Sequence, residues 1–336
     1  MKNIFKKSIA LMAVLALTVC CFAGCGSQGS PQVPGDDSQE EEALQIVTTI
    51  FPEYDWVRNV LGDNPQGAQV NLLIKNGVDP HSFQPSADDI LKISTADVFV
   101  YVGGESDKWV GDALANATNE NMVVVNLLEV LGDAAKEEEL AEGMQGEAED
   151  GEDAEEEPEY DEHVWLSLRN AETLVTAISD ALSSADPENA ESYKTNAEAY
   201  IAKIQALDNE YQTAVSEAPV KTVLFGDRFP FRYLTDDYGI EYFAAFAGCS
   251  AETEASFETV TFLSKKVDEL GLRSVLTIEG SDQKLAETIV QNTESKDQQI
   301  LVLNSMQSVS GDDAIAGATY LGIMESNLEV LKEAMK

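Results

Sequence analysis

Basic residues are scarce in this chain: 21 Lys and Arg stand against 61 Asp and Glu, a formal net charge of −40. Nucleic-acid binding is thereby excluded, because it needs a basic surface that displaces counterions. Cysteine is scarcer. Of four copies, Cys20, Cys21 and Cys25 fall near the N-terminus, and Cys249 is the single thiol beyond them. A disulfide framework and a Cys-rich zinc site are ruled out. Cys249 has no basic neighbour in Ala247-Gly248-Cys249-Ser250 and reads as a buried structural thiol. Beyond the N-terminus no run is long and apolar enough to span a bilayer. Histidine is scarcest of all, with two copies in 336 residues.

Both histidines sit in short motifs beside carboxylates and rigid turns. The first is Val78-Asp79-Pro80-His81-Ser82-Phe83-Gln84-Pro85-Ser86, and the second is Asp161-Glu162-His163-Val164-Trp165-Leu166-Ser167. Neutral imidazole offers one borderline-soft nitrogen and is the commonest protein ligand for transition metals. The placement points to metal handling.

The N-terminus suggests a compartment. Lys2, Lys6 and Lys7 form a positive region, and Ser8 to Val19 is an apolar stretch short for a transmembrane helix. Cys21-Phe22-Ala23-Gly24-Cys25 then resembles a bacterial lipobox, with Phe22 where Leu is usual. The expectation is a leader over 1–25, lipid attachment at Cys25 and a Gly/Ser/Pro/acid-rich flexible tether over 26–44. The alternative is an ordinary secretory signal with a chance cysteine.

Much of the negative charge lies between Glu137 and Glu162, a stretch with almost no core-forming residues. It reads as a disordered loop over about 136–161. It is either a solvated, self-repelling segment or a weak cation collector beside His163.

The rest alternates strand and helix. Gln45 to Phe51, Val70 to Ile74, Asp97 to Gly103 and Met122 to Asn126 read as strands, with a helix capped by Ser86. A long helix is expected over 186–217, with Asp186 as cap and Pro187 at its first position. Lys221 to Phe225, Tyr242 to Phe246, Ser274 to Ile278 and Ile300 to Leu303 follow as strands between helices. The rhythm predicts an α/β fold of βαβ units on largely parallel sheets. The chain is long enough for two lobes, 45–185 and 218–336.

In open α/β sheets, ligand sites collect at the carboxyl ends of strands. His81, Asp227 and Glu279 follow predicted strands, and His163 follows the acidic segment. Each has a bland alternative. Asp227 could cap a turn or pair with Arg228, Glu279 could be a surface residue, and either histidine could serve a capping hydrogen bond.

From Ile46 onward the chain resembles the metal-binding lipoproteins of ABC importers, the zinc and manganese substrate-binding family. The marks are Thr48 to Pro52 (Thr-Thr-Ile-Phe-Pro), Asp79-Pro80-His81 with Pro85-Ser86, Ala96-Asp97 and Glu162 to Ser167. Tyr233 to Gly239, Thr253 to Ser256, Lys284 to Thr288 and the Tyr320…Met324…Asn327 helix add to them. The resemblance implies two α/β lobes joined by one long rigid helix, with a metal in the inter-lobe cleft. It implies His81 and His163 as nitrogen ligands, a third ligand after the long helix and a carboxylate fourth. Asp227 and Glu279 match these last two positions, Asp227 departing from the family's usual His or Glu. It also implies a monomeric receptor that delivers its ion to a permease and performs no catalysis.

Two imidazoles and two carboxylates can close a tetrahedral Zn²⁺ shell. Zinc is preferred to manganese by intrinsic affinity, with manganese the alternative. A secreted metalloenzyme is another alternative, although no compact His-Glu-x-x-His motif occurs. A surface adhesin is the third.

Overall fold

The computed structural model describes residues 43–63, 67–146, 159–250 and 254–336. The expected leader with Cys25, most of the expected tether and the middle of the acidic segment lie outside the described residues. Among those described, no helix is long and apolar enough to cross a membrane.

The first lobe opens with β1 (Gln45–Thr48), whose Ile46, Val47 and Thr48 are buried. Helix α1 (Phe51–Leu61) follows at once. Glu53 reaches back to accept from the backbone N–H groups of Thr49 (2.8 Å) and Ile50 (3.2 Å), which satisfies donors at the helix start. Next come β2 (Gln69–Leu72), α2 (Ala87–Ser94), β3 (Val98–Tyr101), α3 (Val110–Ala115), β4 (Val123–Asn126) and α4 (Leu127–Leu131). The sheet is wholly parallel, in the order β2-β1-β3-β4.

Helix α5 (Leu168–Ala185) leads to α6 (Ala190–Glu217). The expected helix over 186–217 therefore begins with a separate turn, because Pro187–Asn189 forms a 3₁₀ helix. Asp186 holds that turn by accepting from Asn189 Nδ2 (2.8 Å) and the Tyr193 hydroxyl (2.6 Å). The 28 residues of α6 span roughly 42 Å at 1.5 Å per residue. One face carries Tyr193, Ala197, Tyr200, Ile204, Leu207, Tyr211 and Val215, all buried at steps of three or four residues.

The second lobe repeats the first lobe's plan. Strands β5 (Thr222–Phe229), β6 (Glu241–Ala247), β7 (Ser274–Ile278) and β8 (Gln299–Leu303) form a parallel sheet in the order β6-β5-β7-β8. Helices α7 (Arg232–Tyr238), α8 (Phe257–Leu270), α9 (Lys284–Gln291), α10 (Gly311–Ile315) and α11 (Tyr320–Ala334) complete the lobe. In both sheets the strand order reverses beside the first strand, which opens a crevice at the carboxyl ends.

One apolar core runs through both lobes. Trp56 meets Tyr320 edge-on with ring centroids 5.1 Å apart. Buried polar groups tie the same region. Trp165 Nε1 donates to the Ser305 carbonyl (2.8 Å), and the Tyr320 hydroxyl donates to the Trp165 carbonyl (2.8 Å). Such satisfied buried bonds fix one arrangement of the lobes, because breaking one strands a partner at a cost of about 1–3 kcal/mol.

The flanks of the acidic segment are more ordered than the composition implied. Glu137 bridges Tyr160, and Gln145 bridges Phe246. The Arg232 guanidinium reaches Glu137 and Glu139, and Ser256 N–H donates to Gln145 (2.7 Å). Backbone pairing and a cation offset the charge repulsion that composition alone registers.

Candidate metal centre

The two histidines meet. Their Nε2 atoms are 3.4 Å apart, and their rings cross at 60°. Each is placed by an aspartate two residues earlier. Asp79 Oδ1 accepts from the His81 N–H (3.0 Å), and Asp161 Oδ1 accepts from the His163 N–H (2.9 Å).

Tautomers follow from the partners. His163 Nδ1 lies 2.8 Å from Asp161 Oδ1, a carboxylate that only accepts, so Nδ1 carries the proton and Nε2 presents a lone pair. His81 Nδ1 lies 2.6 Å from Ser106 Oγ and 3.5 Å from Glu162 Oε2, which favours the same tautomer. Glu162 also accepts from the Ser106 N–H (2.8 Å), so the residue preceding one histidine steadies the loop that holds the other. Gly104 permits this approach. Its φ is +80°, and a Cβ there would stand 2.4 Å from Glu162 Oε1.

His163 is fully buried, whereas His81 lines a cavity of about 960 Å³. Burial and the neighbouring His163 lower His81 to about 4, which leaves it neutral and able to coordinate near pH 7. Against the upward pull of burial, the Arg228 guanidinium holds Asp79 below the usual carboxylate range. Arg228 and Asp79 are ion-paired across the cavity.

Gln307 faces both imidazoles. Its Nε2 is 2.7 Å from His163 Nε2 and 3.1 Å from His81 Nε2, so two amide hydrogens serve two lone pairs. Its Oε1 lies 3.1 Å from Ser305 Oγ, which also lies 2.8 Å from Glu279 Oε1. Two acceptors thus compete for one hydroxyl proton. Rotating the carboxamide by half a turn relieves that competition and presents Oε1 to the imidazoles, where a cation would take it as a donor.

Asp227 and Glu279 line the same cavity, but their carboxylates are engaged elsewhere. Asp227 accepts from the backbone N–H of Arg228 (2.9 Å) and Ile278 (3.3 Å). Glu279 accepts from Ser305 N–H (2.6 Å), Gln307 N–H (3.1 Å) and Ser308 N–H (3.3 Å), and so shapes the loop that presents Gln307. Among the described residues, one group of three or more His, Cys, Asp or Glu has ligand atoms all within 4.8 Å of one another: His81, His163 and Cys249. Gly248 lies against the His163 ring, where a Cβ would be 2.9 Å from Cε1, and this close passage brings Cys249 in. Burial, with nearby Glu138 and Asp161, pushes the Cys249 thiol well up, so without a cation it is neutral.

The donor chemistry fits a transition metal. Tetrahedral zinc with Zn–N near 2.05 Å separates two nitrogens by about 3.3 Å. The observed separation is 3.4 Å.

A family model described as ZnuA, zinc-uptake complex component A periplasmic, matches residues 46–334. The chain belongs to this family. Zinc-binding protein AdcA of Streptococcus pyogenes serotype M6 is 33% identical over 304 residues, covering 87% of this chain. The chain spans 56% of that relative's length. High-affinity zinc uptake system protein ZnuA of Bacillus subtilis is 30% identical over 333 residues and 98% of each chain. Among solved structures, the Zn(II)-bound ZnuA-like domain of Streptococcus pneumoniae AdcA aligns with a TM-score of 0.67 at 32% identity. That match covers 87% of this chain and 99% of the other. The expected fold, two parallel sheets with a long helix between them, is thus shared with a solved member of the family.

Sequence reading missed Gln307, Ser106, the reach of Arg228 to Asp79 and the position of Cys249. The repeated Asp-x-His spacing was a visible signal for Asp161 as the group that orients its histidine.

Proposed function

We propose that the protein is an extracytoplasmic receptor that captures a divalent transition metal, zinc in preference to manganese, and hands it to an ABC importer. The carrying observation is the pair of Nε2 lone pairs aimed at one point, 3.4 Å apart, each ring fixed from behind by an acceptor on Nδ1. Back-side partners of this kind orient metal-binding histidines. His81 faces the cavity and receives the ion; buried His163 seats it.

Asp227 and Glu279 supply negative potential in the cavity wall, and Glu279 carries the Gln307 loop. As direct ligands, either would have to come closer to the imidazoles, because among the described residues neither shares with them a group of ligand atoms within 4.8 Å of one another. The role requires no turnover, because the ion is cargo. The zinc-uptake family and the names of the relatives support this reading. The lipobox-like Cys25 supports attachment to the outer face of the cytoplasmic membrane.

Calorimetric titration of the metal-stripped protein with Zn²⁺ and Mn²⁺ tests the reading. The expected result is one tight zinc equivalent that His81→Ala abolishes, with weaker binding of manganese. Tight binding unchanged in His81→Ala would place the ion elsewhere, and absence of tight binding would end the receptor proposal.

A further inference from the structure

We propose that Cys249 is the third ligand of this centre, as a thiolate, making the site selective for thiophilic ions and poor for manganese. The inference rests on the metal-receptor reading above and deepens it.

Position is the first ground. Cys249 Sγ, His81 and His163 offer ligand atoms that all lie within 4.8 Å of one another, and among the described residues neither Asp227 nor Glu279 joins such a group. Tetrahedral geometry with Zn–N near 2.05 Å and Zn–S near 2.3 Å calls for about 3.5 Å between sulfur and nitrogen. A modest side-chain movement closes the difference.

Strand topology is the second ground. Cys249 follows β6, which ends at Ala247 on the sheet whose neighbouring strand β5 carries Arg228. It therefore stands at the carboxyl end of the second sheet, as Gln307 does beyond β8. The approach is built into the backbone, since only a residue without Cβ fits at position 248 beside His163.

The charges around the site accommodate a thiolate. Zn²⁺ with two neutral imidazoles and one thiolate carries +1, which Asp161 behind His163 offsets. Arg228 is balanced separately by Asp79. On binding, the Cys249 S–H bond breaks, its proton leaves to solvent and the sulfur pair forms the metal bond; nothing is oxidised or reduced. The rotated Gln307 carboxamide supplies the fourth donor. A nitrogen, sulfur and amide-oxygen set suits zinc, whereas manganese prefers carboxylate and water oxygens.

Co²⁺ titration of the metal-stripped protein, followed by absorption, tests the proposal against Cys249→Ser, Cys249→Ala and His81→Ala. The wild type is expected to bind one equivalent and develop an intense near-ultraviolet sulfur-to-cobalt charge-transfer band. Both Cys249 variants should still bind cobalt without that band. Their preference for Zn²⁺ over Mn²⁺ should fall roughly ten-fold or more. One tight, His81-dependent equivalent with no charge-transfer band, or a band that persists in Cys249→Ser, overturns the thiolate while leaving the receptor reading intact. Absence of tight cobalt and zinc binding in the wild type overturns both.

Discussion

Asp161 fixes the buried histidine, so removing its carboxylate should damage the metal centre more than its distance from the ion suggests. Asp161 Oδ1 accepts from the His163 backbone N–H at 2.9 Å and lies 2.8 Å from Nδ1, and both residues are almost wholly buried. Asp161→Ala leaves both donors without their partner. The buried Nδ1–H and N–H each lose a hydrogen bond, at about 1–3 kcal/mol apiece for a stranded group. The ring is then free to carry its proton on Nε2, the atom that faces His81, and that tautomer cannot bind a metal through Nε2. Loss of such a back-side partner typically lowers metal affinity by about 10–100-fold. Asp161→Asn separates the two effects, because its side-chain oxygen can still accept while the charge is gone. The assay pairs zinc calorimetry with urea unfolding of the metal-free protein. Asp161→Ala should lose both affinity and stability, and Asp161→Asn should retain most of its stability and lose less affinity. Wild-type zinc affinity in Asp161→Ala would refute the assigned tautomer and the reasoning built on it.

Two further outcomes follow from the same geometry. Gln307→Glu places a carboxylate where the amide now faces both imidazoles, and zinc affinity should rise roughly ten-fold or more, about 1.4 kcal/mol; calorimetry showing unchanged or weaker binding would contradict the amide's place beside the ion. Asp107 is raised to about 7 chiefly by burial, with Glu162 adding to the rise. A carboxyl raised in the folded state binds its proton more tightly there than when unfolded. Its contribution is therefore intact below about pH 4 and is lost as pH climbs through 7, at most about 4 kcal/mol at 1.36 kcal/mol per pH unit. Asp107→Asn keeps an acceptor for the Gly103 N–H and removes the charge, so in urea unfolding its stability relative to wild type should grow from pH 5 to pH 8. An equal difference at both pH values would dispose of this assignment.

The fold was largely legible because its signals are local. β-Branched runs such as Gln45–Thr48 and Ser274–Ile278 are bounded by turn residues, and α7 and α8 end at Gly239 and Gly271, both left-handed. The break before α6 was harder to read, since Asp186-Pro187 suits the start of a 3₁₀ turn as well as that of an α-helix. His81 and His163 stood out through rarity and spacing. Partners set by long-range closure did not. Gln307 is a neutral amide in an unremarkable loop, and its meaning comes from a contact spanning 144 positions. Cys249 read as inert because no basic residue adjoins it in sequence, yet the fold sets it beside two imidazoles. Asp227 was expected just beyond a strand but lies within β5, and Glu279 follows β7; nearby backbone N–H groups hold the oxygens of both.

Where the ion sits decides whether the two imidazoles form the metal centre. Anomalous diffraction at the zinc edge from crystals of the zinc-loaded protein locates it directly. A single peak between His81 Nε2 and His163 Nε2, about 2.0–2.1 Å from each, is the predicted result. A peak confined to the acidic segment or the Asp227–Glu279 wall, with both imidazoles unligated, would contradict it.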